Sequence, residues 1–298
     1  MTAAGTVLID QPGVYDIPAE AYHADPVAGG SLSSTGARKL LPPSTPAQFR
    51  HWVDEGSAPS RVFDFGHAAH KLVLGAGPEL AVIDAADFRT KAARAERDEA
   101  HASGQVPLLA HEHEVVVAMA EALLRHEDAA ALFAVGTGHP EQTLVWQDPE
   151  TGVWCRARLD WLPVLQGGRR LLLPDYKSAA HADRVAFERA MAEHGYHQQA
   201  AWYLEGARQL ALTGRDAGFV FVVQEKSAPY LVNLVEPDVV ALRWGAIQNE
   251  CAREIYRRCS ESGQWPGYRG VELAALPAYA ENRIEAAYDS GEYTLEIT

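Results

Sequence analysis

The segment Leu171-Leu172-Leu173-Pro174-Asp175-Tyr176-Lys177-Ser178 constrains this chain more than any other. An apolar run carries a carboxylate and an ammonium, two residues apart, to its polar end. In an extended strand residues i and i+2 share a face, so Asp175 and Lys177 project into one space. Taking such a pair out of water costs solvation free energy. A functional site can offset that cost, with the carboxylate holding a divalent cation and the lysine stabilising charge on a reacting oxygen. Asp-x-Lys alone is common in strands, so its neighbours decide.

The period of the apolar residues changes along the chain. Residues 11–60 are rich in Pro, Gly and Ser, with Ser31-Leu32-Ser33-Ser34 a cap before a helix at Thr35–Leu41. Phe63–Leu74 reads as a helix with His67 and His70 on one side, residues 84–103 as an exposed, charged helix or arm, and His111–Phe133 as an amphipathic helix. Strands follow at Gln142–Gln147 and Val153–Trp161, joined by the hairpin turn at 148–152, then at Leu171–Lys177 after a Gly167-Gly168 turn. A long helix over Phe187–Leu212, a hairpin from Phe219–Gln224 and Tyr230–Val235, and a helix over Val239–Arg258 complete the series. This order predicts an α+β fold, a central mixed sheet flanked by helices.

Asp160 ends the second of these strands and Asp175 the third. If the strands lie together, two carboxylates stand side by side, which needs a cation between them. Magnesium suits a few carboxylates completed by water and phosphate. Glu141, at the start of the first strand, could add a ligand or hold a water, and His70 could complete the set from its helix. Gln199 and Tyr203, four apart on the next helix, share a face and offer neutral hydrogen-bonding groups for a phosphate or a DNA end. Taken singly, each has an ordinary reading: a turn carboxylate, a packed histidine, an edge-strand lysine, helix-face packing. Their order across three strands and a helix is what points to a site.

The 298 residues suffice for one large domain, and 47% hydrophobic with 22% charged residues is a globular composition. No stretch reaches the ~18 consecutive apolar residues of a membrane span, and the first ten residues lack the basic-then-apolar order of a secretory leader. Three scattered cysteines suit a reducing cytoplasm and cannot supply a four-cysteine iron–sulfur or zinc site. A net charge of −14 argues against a uniformly positive surface. Contact with phosphates therefore calls for basic residues gathered locally, with Lys91, Arg94 and Arg97 on the charged arm, and Arg158, as candidates.

Asp160, Pro174-Asp175-Tyr176-Lys177 and Gln199-x-x-x-Tyr203 together resemble the PD-(D/E)XK nuclease signature, in the branch with a RecB-type Gln-x-x-x-Tyr motif. Gly66–Leu74, Leu32-Ser33-Ser34-Thr35 and Trp265-Pro266-Gly267-Tyr268 further resemble RecE-like (exonuclease VIII-like) phage and prophage exonucleases, over roughly residues 12–280. The resemblance implies a restriction-endonuclease-like core at 61–280, with 1–60 packing on it and 281–298 as a tail. It implies a magnesium-dependent 5′→3′ exonuclease on double-stranded DNA ends, with manganese able to substitute. The product would be 3′ overhangs for recombination by a RecT-like single-strand annealing partner, and the assembly a toroidal homo-oligomer. In this frame His70, Asp160 and Asp175 are metal ligands, Lys177 the catalytic lysine, Gln199 and Tyr203 the helix motif, and Glu141 a further acid. Alternatives on the same residues are an endonuclease or structure-specific nuclease, and a catalytically idle module that binds DNA ends.

Overall fold

The computed structural model of the protein describes residues 8–56, 61–164, 170–213 and 217–293, so the expected Gly167-Gly168 turn lies outside the described residues. Two compact units divide at Trp265 and Pro266. The second contains one helix, α11 (Ala278–Asp289), none of whose residues is buried.

In the first unit the chain runs β1 (Gly13–Tyr15), α1 (Ala19–His23), β2 (Leu32–Ser33), α2 (Ser34–Lys39), α3 (Pro46–Glu55), α4 (Arg61–Leu74), β3 (Leu80–Ile83), α5 (Lys91–Ala102), β4 (Val106–Leu109), α6 (Ala110–Arg125), α7 (Glu127–Leu132), β5 (Gly138–Gln147), β6 (Trp154–Pro163), β7 (Leu171–Ala179), α8 (Arg184–His194), α9 (Tyr196–Gln209), β8 (Ala217–Glu225), β9 (Val232–Val235) and α10 (Val239–Ser262). The strands form a four-stranded sheet, β1-β5-β6-β2, a three-stranded sheet, β7-β8-β9, and a β3-β4 pair. β5 and β6 are antiparallel, whereas β7 runs parallel to β8 and β8 antiparallel to β9. The architecture is the expected α+β one, with mixed sheets flanked by helices.

Alternation along the strands splits the interior between two faces. Phe219, Phe221 and Val223 of β8 join Leu173, Trp146, Trp202 and Leu204 in one cluster, while Val222 joins Tyr176, Ala68, Met119 and Leu123 in another. The first lies under α9 and the second under α4 and α6. The polar end of β7 therefore emerges between helices that can each lend a side chain to it.

Two expected helices are each broken. Phe187–Leu212 divides at Gly195, whose φ of 66° closes α8 in the left-handed conformation before α9 begins. His111–Phe133 divides at His126, which is extended (ψ 106°) and whose Nδ1 accepts a hydrogen bond from the Ala129 amide. Both breaks are local capping events inside runs whose apolar spacing continues across them, which is why periodicity reads straight through. Among the described residues no helix is long and apolar enough to cross a membrane.

The close crossing of α10 over α9 requires Gly245. A Cβ there would lie 2.4 Å from the carbonyl oxygen of His197 and 2.9 Å from Cα of Gln198, both backbone atoms that cannot turn aside. Asn249, one turn on, donates to the Gln198 carbonyl at 3.1 Å. Gly245→Ala should therefore destabilise the protein by about 1–3 kcal/mol, even though alanine is the better helix former by roughly 1 kcal/mol. Chemical denaturation checks this; a variant as stable as the parent would mean that α10 can shift away from α9.

Candidate active site

Asp175 and Lys177 meet at the end of β7, as their shared face requires. Lys177 Nζ lies 2.6 Å from Asp175 Oδ2 in a charge-assisted pair. Asp175 Oδ1 accepts from Gln199 Nε2 at 2.8 Å. The carboxylate is 1% exposed and the lysine 22%. The ammonium also stands 5.1 Å from the Tyr196 ring centroid. Burial pushes the Asp175 carboxyl up; Lys177 draws it down and Asp160 pushes it up again, leaving it at about 6.

Asp160 reaches the same place from β6. No ladder joins β6 to β7; instead Asp160 Oδ2 accepts from the Tyr176 backbone N–H at 2.7 Å, so a side chain links the sheets where the two acids come together. Burial alone would raise the Asp160 carboxyl. The His70 charge and hydrogen bond, with Lys177 and the Tyr176 amide, hold it below its ordinary value. The two acids are thus pushed apart, one firmly ionised and the other poised nearer neutrality.

His70, on α4, lies between two carboxylates. Its Nε2 is 3.0 Å from Asp160 Oδ1 and its Nδ1 is 3.1 Å from Glu141 Oε1. Burial works against an imidazolium, but the two anions outweigh it and raise the group to about 10. Glu141 sits opposite Asp160 between the Pro140–Trp161 and Gln142–Leu159 pairs, with a φ of 57° that interrupts the ladder. Left-handed backbone at a residue other than glycine costs about 1–3 kcal/mol and is retained where the surroundings impose it. Here Arg158 Nε binds Glu141 Oε2, while Nη1 of the same arginine donates to the Ile17 carbonyl at 2.8 Å and to Thr143 Oγ1 at 3.3 Å.

The structure thus brings together His70, Glu141, Asp160, Asp175, Lys177 and Gln199. Tyr203 lies one turn beyond Gln199 and is 8% exposed, its ring edge-on to Phe219 at 5.8 Å. Arg158, read from the sequence as a phosphate contact, pairs with Glu141. Lys91 and Arg94 are exposed on α5, and Arg97 pairs with its neighbour Asp98 at 2.7 Å.

Two supporting contacts escape sequence reasoning. The Tyr176 hydroxyl donates to Gln224 Oε1 at 2.8 Å, and Gln224 Nε2 donates to the Met119 carbonyl at 2.8 Å, pinning β7 to α6 behind the site. Asp64 on α4 faces His101 of α5 at 3.1 Å. The first carried a signal, since the residue between Asp175 and Lys177 must face the opposite side of the strand; the second carried none.

By chemistry the set suits a hard divalent cation: the carboxylates of Asp160, Asp175 and Glu141 with the imidazole of His70. In the arrangement present, however, among the described residues no three His, Cys, Asp or Glu side chains converge to hold a metal. His70 turns both nitrogens to carboxylates, so a proton supplies the positive charge between them.

The model of a family described as a PDDEXK-like domain of unknown function (DUF3799) matches residues 44–274. A crystal structure of an Eubacterium rectale protein provisionally named an exonuclease is similar at a TM-score of 0.58 and 12% identity, over 90% of this chain and 98% of that one. At that identity the likeness is one of fold. No curated protein matches the chain. With the family match spanning most of the sequence, the chain belongs to the PDDEXK-like family (DUF3799) and so to the PD-(D/E)XK nuclease class.

Proposed function

We propose that the protein is a magnesium-dependent exonuclease that degrades one strand of duplex DNA from its 5′ end, leaving 3′ overhangs for a single-strand annealing partner. The observation that carries the nuclease part is the meeting of Asp160, Asp175 and Lys177, with Gln199 on the second acid. The exonuclease part is supported by the resemblance of the chain to RecE-like enzymes and by the name of its structural neighbour. Toroidal assembly belongs to the same proposal.

When bound, a divalent cation supplies polarisation of a phosphoryl oxygen and a lowered pKa for water; Asp160 and Asp175 would hold it, with His70 and Glu141 beside them. Gln199 fixes the rotamer of Asp175, and the Tyr176 amide fixes that of Asp160. Lys177 brings a half-buried ammonium to where charge develops on the phosphate, and the lowered dielectric around it strengthens that interaction. Arg158 keeps Glu141 turned toward His70.

Linear duplexes labelled at either 5′ or 3′ end, with a circular control and with EDTA, test the reading. Mononucleotides should appear from the 5′ label, none from the circle, and none in EDTA. Cutting of the circle would establish an endonuclease, and no metal-dependent product at all would leave an end-binding module.

Asp160→Asn and Asp175→Asn keep shape, and in the first the new carboxamide oxygen can still accept from the Tyr176 amide. Each should lower turnover by about a hundredfold or more while the fold, read by circular dichroism, is kept. Near-parental turnover in either would remove that acid from the site. Lys177→Met should lower kcat by about a hundredfold with little change in KM, because its charge acts on the transition state; a rise in KM alone would make it a substrate-binding group.

The exposed pair Lys91 and Arg94 is proposed to follow the DNA backbone. Lys91→Glu with Arg94→Glu should reduce the salt slope of DNA binding by about two, one for each lost phosphate contact. A slope equal to the parent's would assign α5 to solvent alone.

A further inference from the structure

Among the described residues of this acidic protein, the buried and half-buried arginines are neutralised by carboxylates, with one exception. Arg50 pairs with Asp54, Arg97 with Asp98, Arg156 with Asp25, Arg158 with Glu141, Arg253 with Asp148 and Arg257 with Glu254. Arg38, half-buried on α2, has no carboxylate within ion-pair distance among the described residues. Its Nη1 donates to the His194 carbonyl, its Nη2 to Thr35 Oγ1 at 3.2 Å, and its Nε is enclosed without a hydrogen bond. A guanidinium removed from water without an anion is costly, and neutral acceptors compensate it only in part.

Its position gives that cost a use. The aliphatic stem of Arg38 lies over Gly195, so close that a Cβ there would come 2.7 Å from its Cδ. Gly195 caps α9, which carries Tyr196, whose ring faces Lys177 at 5.1 Å, and Gln199, which holds Asp175. Arg38 thus stands across the α8–α9 break from the end of β7, which it approaches through Gly195 and the neighbouring Tyr196. The Gly195 left-handed turn lets a long side chain from the N-terminal segment approach a site otherwise built from the sheets.

We propose that Arg38 is a phosphate-binding residue of this site, contacting a phosphate of the strand being cut beside the Asp175–Lys177 pair. The proposal rests on the nuclease reading above and adds to it the substrate group that Arg38 holds. A phosphate supplies the missing anion, and Nη1 and Nη2 each keep a second N–H that can donate to its oxygens. Either an internal phosphodiester or a terminal 5′-phosphate presents that chemistry.

The test compares the full-length protein with Arg38→Gln and Arg38→Lys. Binding to labelled duplex is read by fluorescence anisotropy in EDTA across a salt series, and folding by thermal melts. Arg38→Gln should weaken binding by roughly ten- to a hundredfold and lower the salt slope by about one. Arg38→Lys should restore the slope. Duplexes with a 5′-phosphate, a 5′-hydroxyl, or one neutral methylphosphonate near the end locate the contact. Replacing the contacted phosphate should weaken the parent as Arg38→Gln does, and should cost Arg38→Gln little more.

An Arg38→Gln variant that melts as the parent and binds with its affinity and slope would overturn the proposal. Equal loss of melting temperature in both variants at an unchanged slope would also overturn it, making Arg38 a structural tie between α2 and α8. Because binding is read without turnover, these outcomes are distinct from failure of the nuclease reading, which shows as a parent protein that binds duplex and releases nothing.

Discussion

The hydrogen bond from the Tyr176 amide to Asp160 Oδ2, 2.7 Å long, is the contact on which the site depends. β6 and β7 belong to different sheets, so no ladder sets their separation at this point. A carboxylate takes the place of a ladder acceptor, and the acid that links the sheets is also the acid turned toward His70. The hydrogen bond from the Tyr176 amide therefore fixes both the join and the distance between Asp160 and the residues of β7. Asp160 stays ionised through the same contact, because an amide donor and an imidazolium both favour the anion.

Around that bond the charges are arranged in alternation. Arg158 faces Glu141, Glu141 faces His70, His70 faces Asp160, and Lys177 faces Asp175. Each buried anion is next to a cation, which is how an acidic chain keeps several carboxylates together out of water. Arg38 stands outside this alternation, with no carboxylate within ion-pair distance among the described residues.

Support for the site comes from both faces of the sheets. On one, α9 supplies Gln199 to Asp175. On the other, Tyr176 is locked by Gln224 to the Met119 carbonyl of α6. Residues 175, 176 and 177 are thus held by partners on alternate sides, so β7 cannot rotate about its axis without losing one of them. Such bracing suits a site in which small displacements of a carboxylate or an ammonium weaken charge stabilisation.

The sequence determined the residues of the site because the relevant rules are local. Strand alternation places Asp175 with Lys177, helix periodicity places Gln199 with Tyr203, and the hairpin at 148–152 sets Glu141 opposite Asp160. Local rules also placed the boundaries of β5 to β9 to within a few residues, but missed the short strands β1 to β4, too brief to show an alternation. They failed at Gly195 and His126, where one residue's backbone conformation ends a helix whose apolar spacing continues. Tertiary structure alone decided that β6 and β7 meet through a side chain, that Arg158 turns inward to Glu141, and that Arg38 reaches across Gly195. Those outcomes depend on which distant groups share an enclosed, low-dielectric space. Charge pairing there is set by three-dimensional proximity and desolvation, neither of which is written in the spacing of residues along the chain.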